Sequence, residues 1–416
     1  MKKVFVLLSS VLVLVTSSFA LDKVRISGYA TAAGGYISDS SVGATTFNSD
    51  PGHDGYAEES LKFQPDSVAG LQISSRIADD VTVSMQLVGQ FENETGSIEL
   101  EWAFVNYELS DDFTIQAGRF VPQIFLYSNT INVGFTYLWI TPPSEMYAQA
   151  PMRYTDGANL LLNHTFSNDM TIEASAYASN VSQEIVFAGQ TFPSKYENFF
   201  GGSASISNEY FKLRASHIEV EMSTSLNSST SIGPLVAGPG NLANPGLDNT
   251  DGIKSDSVDG SFSSIGLTMD VADVIVIGEY AVRNIKDSAF TEDSASYYAT
   301  LGYRMGNFTP HVTYSVLETE FKDSSVPLAL SMIDPITQVV TTSGQIATVG
   351  SFRSALSTDS QTVAVGLRYD LNSKTALKFE YQNITKTPQE IDFTTGASIH
   401  NETSADLYKI ALSVIF

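Results

Sequence analysis

The final twelve residues, Ala405 to Phe416, constrain this chain most. They read A-D-L-Y-K-I-A-L-S-V-I-F. Tyr408, Ile410, Leu412, Val414 and Phe416 share one face of an extended strand, while Leu407, Lys409, Ala411 and Ser413 share the other. That is period-2 alternation over a full strand length. Left as an open edge, such a strand would template aggregation. In a closed barrel the last strand pairs with the first and no edge remains.

The opening residues predict a signal peptide over 1–20. Lys2 and Lys3 supply the charge, Val4 to Val15 the apolar stretch, and Ser18 and Ala20 the small residues before a cut. Removing it leaves 396 of the 416 residues, with no Pro-, Ser- or Gly-rich linker to divide them. There are no cysteines, which excludes disulfides, thiolate metal sites and cysteine nucleophiles. The net charge of −24 becomes −26 without Lys2 and Lys3, a poor match to nucleic acid. A hydrophobic content of 43% and an aromatic content of 11% argue for a folded protein rather than an acidic disordered one.

Alternating segments predict sixteen strands, near 25–36, 67–77, 81–91, 98–109, 113–120, 154–166, 170–179, 199–207, 210–222, 261–271, 274–285, 295–305, 308–321, 360–371, 375–386 and 405–416. Tight turns such as Ala78-Asp79-Asp80, Ala272-Asp273 and Gly306-Asn307 alternate with connections that are mostly long and polar: 37–66, 121–153, 180–198, 223–259, 322–359 and 387–404. Short turns at one end and long loops at the other are the plan of an antiparallel up-and-down transmembrane β-barrel, spanning 21–416. The repeat that a propeller blade would show is absent. A missed hairpin in 223–259 or 322–359 would raise the strand number to eighteen. Aromatics near predicted strand ends, among them Tyr29, Tyr36, Tyr107, Phe113, Phe120, Tyr177, Tyr210, Phe308 and Phe379, fit interfacial girdles.

The strand plan, the signal peptide, the loop opening at Ala117-Gly118-Arg119-Phe120 and the terminal Y-x-I-x-L-x-V-x-F together resemble the Gram-negative outer-membrane porins. The resemblance implies a sixteen-stranded, trimeric, water-filled channel in the outer membrane for passive diffusion of small hydrophilic solutes and ions. It implies contact with outer-membrane lipid and lipopolysaccharide. It also implies an assembly signal at Tyr408 and Phe416, read by the barrel-assembly machinery, and a loop folded into the lumen. Residues 121–153 are the candidate constriction loop. Their aromatic and apolar content suits a loop packed on the barrel wall, and Glu145, Arg153 and neighbouring Arg119 are its charges. A loop reaching a neighbouring subunit is the alternative.

Alternation turns Arg76, Lys212, Arg214, Arg283, Arg304, Arg368, Lys378 and Lys409 inward, with Glu99, Glu101, Glu173, Asp270, Glu279, Asp370 and Glu380. Pore-lining roles are expected for Arg76, Arg283, Arg304, Arg368, Lys378, Glu99 and Glu101, with a basic wall facing an acidic one. Tyr137 and Trp139 are candidates for a solute-stacking platform in a solute-specific channel. The other alternative is a plugged structural or adhesive barrel. Acidic outer loops, with Asp39, Asp50, Asp54, Glu58 and Glu59 in one and Glu390, Asp392 and Glu402 in another, could attract divalent cations. No cofactor and no catalytic residue is expected. His53, His164, His217, His311 and His400 are scattered, and an outward Ser–His pair of the lipase kind is not evident from sequence.

Overall fold

The computed structural model describes residues 24–40, 42, 55–56, 59–92, 95–150, 152–187, 190–224, 257–286, 292–320, 358–391, 398–400 and 402–416. The expected signal peptide, the acidic-loop carboxylates Asp50, Asp54, Glu58 and Asp392, and the segments 225–256 and 321–357 lie outside them.

The strands are β1 (Val24–Ile37), β2 (Val68–Ala78), β3 (Val81–Glu92), β4 (Thr95–Glu108), β5 (Phe113–Phe120), β6 (Thr155–Thr165), β7 (Thr171–Phe187), β8 (Gln190–Ser207), β9 (Phe211–Thr224), β10 (Val258–Val271), β11 (Val274–Ile285), β12 (Asp293–Tyr303), β13 (Phe308–Glu320), β14 (Thr358–Asn372), β15 (Thr375–Ile391), β16 (Ser398–His400) and β17 (Thr403–Ile415). Sixteen form the wall; β16 is three residues long and extends the hairpin of β15. Each wall strand pairs antiparallel with its chain neighbour, and β1 pairs with β17 from Tyr29↔Ile415 to Ile37↔Leu407. The sheet is therefore a closed sixteen-stranded barrel. The sixteen expected strands are all present, with no further wall strand among the described residues.

Phe416 finishes the seam. Its N–H donates to Gly28 O, and Gly28 N–H donates to Phe416 O, both at 2.9 Å. Its ring lies over Gly28, where an added Cβ would meet the ring at 2.4 Å. The ladder needs that closure, because an open sheet edge in hydrocarbon would leave backbone groups unsatisfied.

The residue distribution is inverted relative to a water-soluble barrel. Tyr408, Ile410 and Leu412 of β17 are exposed on the outer face, while Lys409, Ala411 and Ser413 are buried inside. Val363 and Val365 are exposed on β14, opposite buried Thr362 and Ala364. Leu301 and Tyr303 are exposed on β12, opposite buried Ser296 and Thr300. A sheet that shows apolar residues outward and hides hydroxyls and charges inward is built for lipid outside and polar groups inside.

Strand ends differ from the sequence expectation in ways that have local causes. The predicted loop 180–198 is mostly ladder, because β7 and β8 continue up to Phe187 and Gln190. In β4, Glu101 is the extra residue where Gln86 pairs with Trp102 and Leu87 with Leu100, a bulge that shifts the inward and outward parity partway along the strand. Between β8 and β9 the pairing shifts at Glu197 to Phe200 of β8. Ala272 and Asp273 both take positive φ, 50° and 69°, in the two-residue turn between β10 and β11. Three aromatics expected in the girdle, Tyr29, Phe120 and Tyr177, instead face inward and are buried.

Candidate functional site

The chain from Val121 to Arg153 folds into the lumen. It contains two single turns of 3-10 helix, Ser128–Thr130 and Gly134–Thr136, and the short helix α1 (Ser144–Tyr147). Its apolar residues Ile124, Phe125, Ile131, Leu138, Trp139, Met146 and Tyr147 join one buried cluster with Tyr177 of β7, Phe199 of β8, Ile218 of β9, Phe262 of β10, Ile277 of β11 and Tyr298 of β12. Aromatic contacts run through it: Phe125 lies 4.6 Å from Tyr147 and 5.3 Å from Phe262, and Trp139 lies 5.5 Å from Tyr298.

The wall holds the loop's backbone with charged side chains. Lys378 of β15 is buried, and its ammonium donates to the carbonyls of Gly134 and Tyr137 at 2.5 and 2.7 Å, and to that of Trp139. The Arg368 guanidinium donates to the carbonyls of Phe135 and Tyr137 at 2.7 and 2.9 Å. Arg214 reaches Phe125 O at 3.0 Å and Arg283 reaches Gln149 O at 3.2 Å. Carboxylates accept from the loop: Leu126 N–H and Tyr147 O–H donate to Glu279, and Ile140 N–H donates to Glu380. The Trp139 indole N–H donates to Thr313 at 2.8 Å. Gly134 lies so close to the closing seam that a Cβ would meet Thr31 Oγ1 at 2.5 Å and Ser413 Oγ at 2.8 Å. Across the lumen, Asn132 donates to Glu101 of β4 at 3.2 Å. The loop is thus attached to opposite walls.

Glu145 is buried at the start of α1 and accepts from Ser315, Ser360 and Thr362 at 2.9, 3.1 and 2.5 Å. Hydroxyls on β13 and β14 thus solvate this carboxylate in place of water. A second inward segment adds to the arrangement. Tyr56 donates to Asp66 at 3.0 Å; Lys409 sits 3.6 Å from Asp66 and 3.1 Å from Glu380, and reaches Thr141 at 3.1 Å. Burial pushes the Asp66 carboxyl above its ordinary range, while Lys409 and the Tyr56 hydroxyl pull it partly back.

The mouth at the short-turn end is different. Arg76 pairs with Glu108 at 3.1 Å, Arg304 with Asp270 at 2.6 Å, and Lys212 with Glu173. These side chains are between a third and somewhat over half exposed, from 32% for Lys212 to 57% for Arg76. Arg368 bridges the two zones, since it also bonds Asp370 at 2.9 Å.

Several sequence expectations change here. Lys378, Arg368 and Arg283 face inward but serve the loop rather than an open basic wall, because loop carbonyls offer them partners that alternation could not reveal. Glu101 is buried under Asn132, while Glu99 lies 3.9 Å from Arg153. Tyr137 and Trp139 are 4% and 2% exposed, so neither offers a ring face for stacking a solute. Arg119 lies on the outer face: it shares the parity of exposed Phe113 and Ile115, opposite buried Gln116 and Phe120. There it forms a two-pronged bond with Asp156 at 2.9 Å and stacks on Tyr154 at 3.9 Å. Its position beside the loop in sequence did not carry its side chain into the lumen. Among the described residues no group of three His, Asp or Glu could hold a metal ion.

No protein-family model matches this chain, and no curated protein sequence matches it. Solved structures do. One is a loop-deletion form of OmpT, an outer membrane protein of Vibrio cholerae, at 10% identity and TM-score 0.52, covering 94% of this chain and 99% of that one. Another is an anion-selective porin from Comamonas acidovorans, with the same identity, score and coverage. A third is OmpF of Salmonella typhi in complex with daunomycin, at 10% identity and TM-score 0.50, covering 94% and 97%. At such identities the likeness is one of fold: this chain has the barrel architecture of outer-membrane porins.

Proposed function

We propose that this protein is an outer-membrane channel through which small hydrophilic solutes diffuse passively, with residues 121–153 narrowing the lumen. The observation that carries the reading is the inverted barrel: exposed Val, Leu, Ile and aromatic side chains outside, hydroxyls, amides and charges inside. A barrel of sixteen strands is wide enough to hold an aqueous passage. The inner face on the β3–β7 side is polar: Gln86 and Gln90 of β3, Asn159 of β6, and Ser175 and Ser179 of β7 all turn away from the outer surface. The charges at the short-turn mouth are paired within a few ångströms, which favours weak ion selectivity over a strong transverse field.

Assembly as a trimer belongs to the same reading; the structurally similar in-vitro folded OmpT of Vibrio cholerae has a trimer form. So do lipopolysaccharide contact and a role for Tyr408 and Phe416 as the assembly signal, and both side chains stand exposed on the outer face. A second reading, a plugged barrel, is favoured by one observation: the loop is tied to Glu101 on β4 as well as to β9–β15. Planar-bilayer recording separates them. Stepwise openings at constant voltage support the channel; silence from correctly folded protein, checked by its heat-modifiable mobility, supports the plug.

A further inference from the structure

On the outer wall, β9 and β10 bring His217 and Glu219 together with Ser263, which lies 46 residues beyond His217 in the chain. Ser263 and His217 are cross-strand partners, and Ser263 Oγ lies 2.8 Å from His217 Nδ1. Glu219, two residues along the same face, places Oε1 3.6 Å from His217 Nε2. His217 and Glu219 are 57% and 72% exposed, whereas their neighbours Ser216, Ile218 and Val220 are buried in the lumen. The cluster therefore faces away from the pore and plays no part in the loop's anchorage.

Its surroundings form a graded patch across four strands. One row toward the short-turn end, Ala204, Ala215, Ile265 and Tyr280 lie side by side, with Ile265 and Tyr280 each 49% exposed. The middle row is Gly202, His217, Ser263 and Val282; the row above is Phe200, Glu219, Ser261 and Asn284. Further up, Asp259 and Lys286 form an exposed pair at 3.9 Å. Apolar below and charged above is the profile of the boundary between hydrocarbon and headgroups. Gly202, Ala204 and Ala215 leave shallow ground beside the imidazole, flanked by Phe200, 55% exposed. An extended acyl chain could lie there with its ester level with Ser263.

We propose that Ser263, His217 and Glu219 form an acyl-ester hydrolase site on the outer wall, acting on membrane lipid esters. His217 Nδ1 accepts the Ser263 proton as Oγ attacks the ester carbonyl. Collapse of the tetrahedral adduct breaks the ester C–O bond, and His217 returns the proton to the departing alcohol of the lysolipid. Water then attacks the acyl-serine, giving its proton to His217; the fatty acid leaves and Ser263 regains its hydrogen. Glu219 orients the imidazole and stabilises its charged form. Ser261 and Asn284, in the row above on the same face, are the nearest side-chain donors by register for the developing oxyanion.

The test uses the full-length folded protein in mixed micelles with a phosphatidylcholine carrying a fluorescent acyl chain, alongside a fluorophosphonate probe. The expected result is hydrolysis by the wild type, probe attached at Ser263 by peptide mass, and a fall of about 100-fold or more in Ser263→Ala and His217→Ala. Glu219→Gln should lower kcat with KM held. Folded wild type that is neither labelled at Ser263 nor faster than Ser263→Ala would overturn the proposal. These residues lie outside the lumen, so conductance should be unchanged in all three variants.

Discussion

Lys378 and Arg304 both point inward from the barrel wall, and they do different things. Lys378 is buried, with its charge spread over three loop carbonyls. Arg304 is 42% exposed at the mouth, paired with Asp270. The barrel has two inner zones: one where cations clamp a backbone, and one where cations and carboxylates face each other in water. Burial decides which is structural. In the dry zone a carbonyl left without its donor costs about 1–3 kcal/mol, whereas an exposed ion pair contributes about 0–1 kcal/mol. The loop's position should depend on the first zone, and ion preference on the second.

The largest effect should come from Lys378→Met. It strands three carbonyls and should weaken loop docking by about 3–5 kcal/mol, seen as larger single-channel conductance or a flickering open level in a barrel that still shows heat-modifiable mobility. Glu145→Ala should come next. Ser315, Ser360 and Thr362 lose their shared acceptor, which should loosen α1 by about 1–3 kcal/mol and raise protease cleavage between residues 140 and 150 in the folded protein. Arg304→Gln should leave conductance nearly unchanged and move the reversal potential in a salt gradient toward cations, because Asp270 is left uncompensated; an anionic shift would break the two-zone comparison.

The smallest effect concerns pH. Asp66 has its carboxyl raised when docked, so the docked segment binds a proton more tightly than an undocked one. Its contribution to docking is full below the ordinary aspartate range and is lost as pH rises through the raised value. Conductance noise should therefore fall as the solution is acidified, and Asp66→Asn should remove the dependence.

Much of the barrel was legible because its signals are local. Alternation in 405–416 and 360–371 reports two faces, and turns such as Ala272-Asp273 report their own geometry. The loop's apolar richness correctly pointed to burial. What could not be read was pairing across the lumen: Lys378 meets Tyr137 O across 241 residues of sequence, and nothing near either residue announces the other. Arg119 shows the same gap from the other side, since one step of parity sent it outward to Asp156. His217 gave no sign of Ser263, because their meeting depends on the register between β9 and β10.

The most direct measurement is the single-channel conductance of the Lys378→Met, Arg368→Met double variant against the wild type, in planar bilayers at fixed salt, with both proteins shown to be folded. A loop fixed across the lumen by these two side chains predicts a larger conductance and a higher solute size limit in the variant. Identical conductance and an identical size limit would contradict it, and would mean that something other than the clamped loop sets the width of the passage.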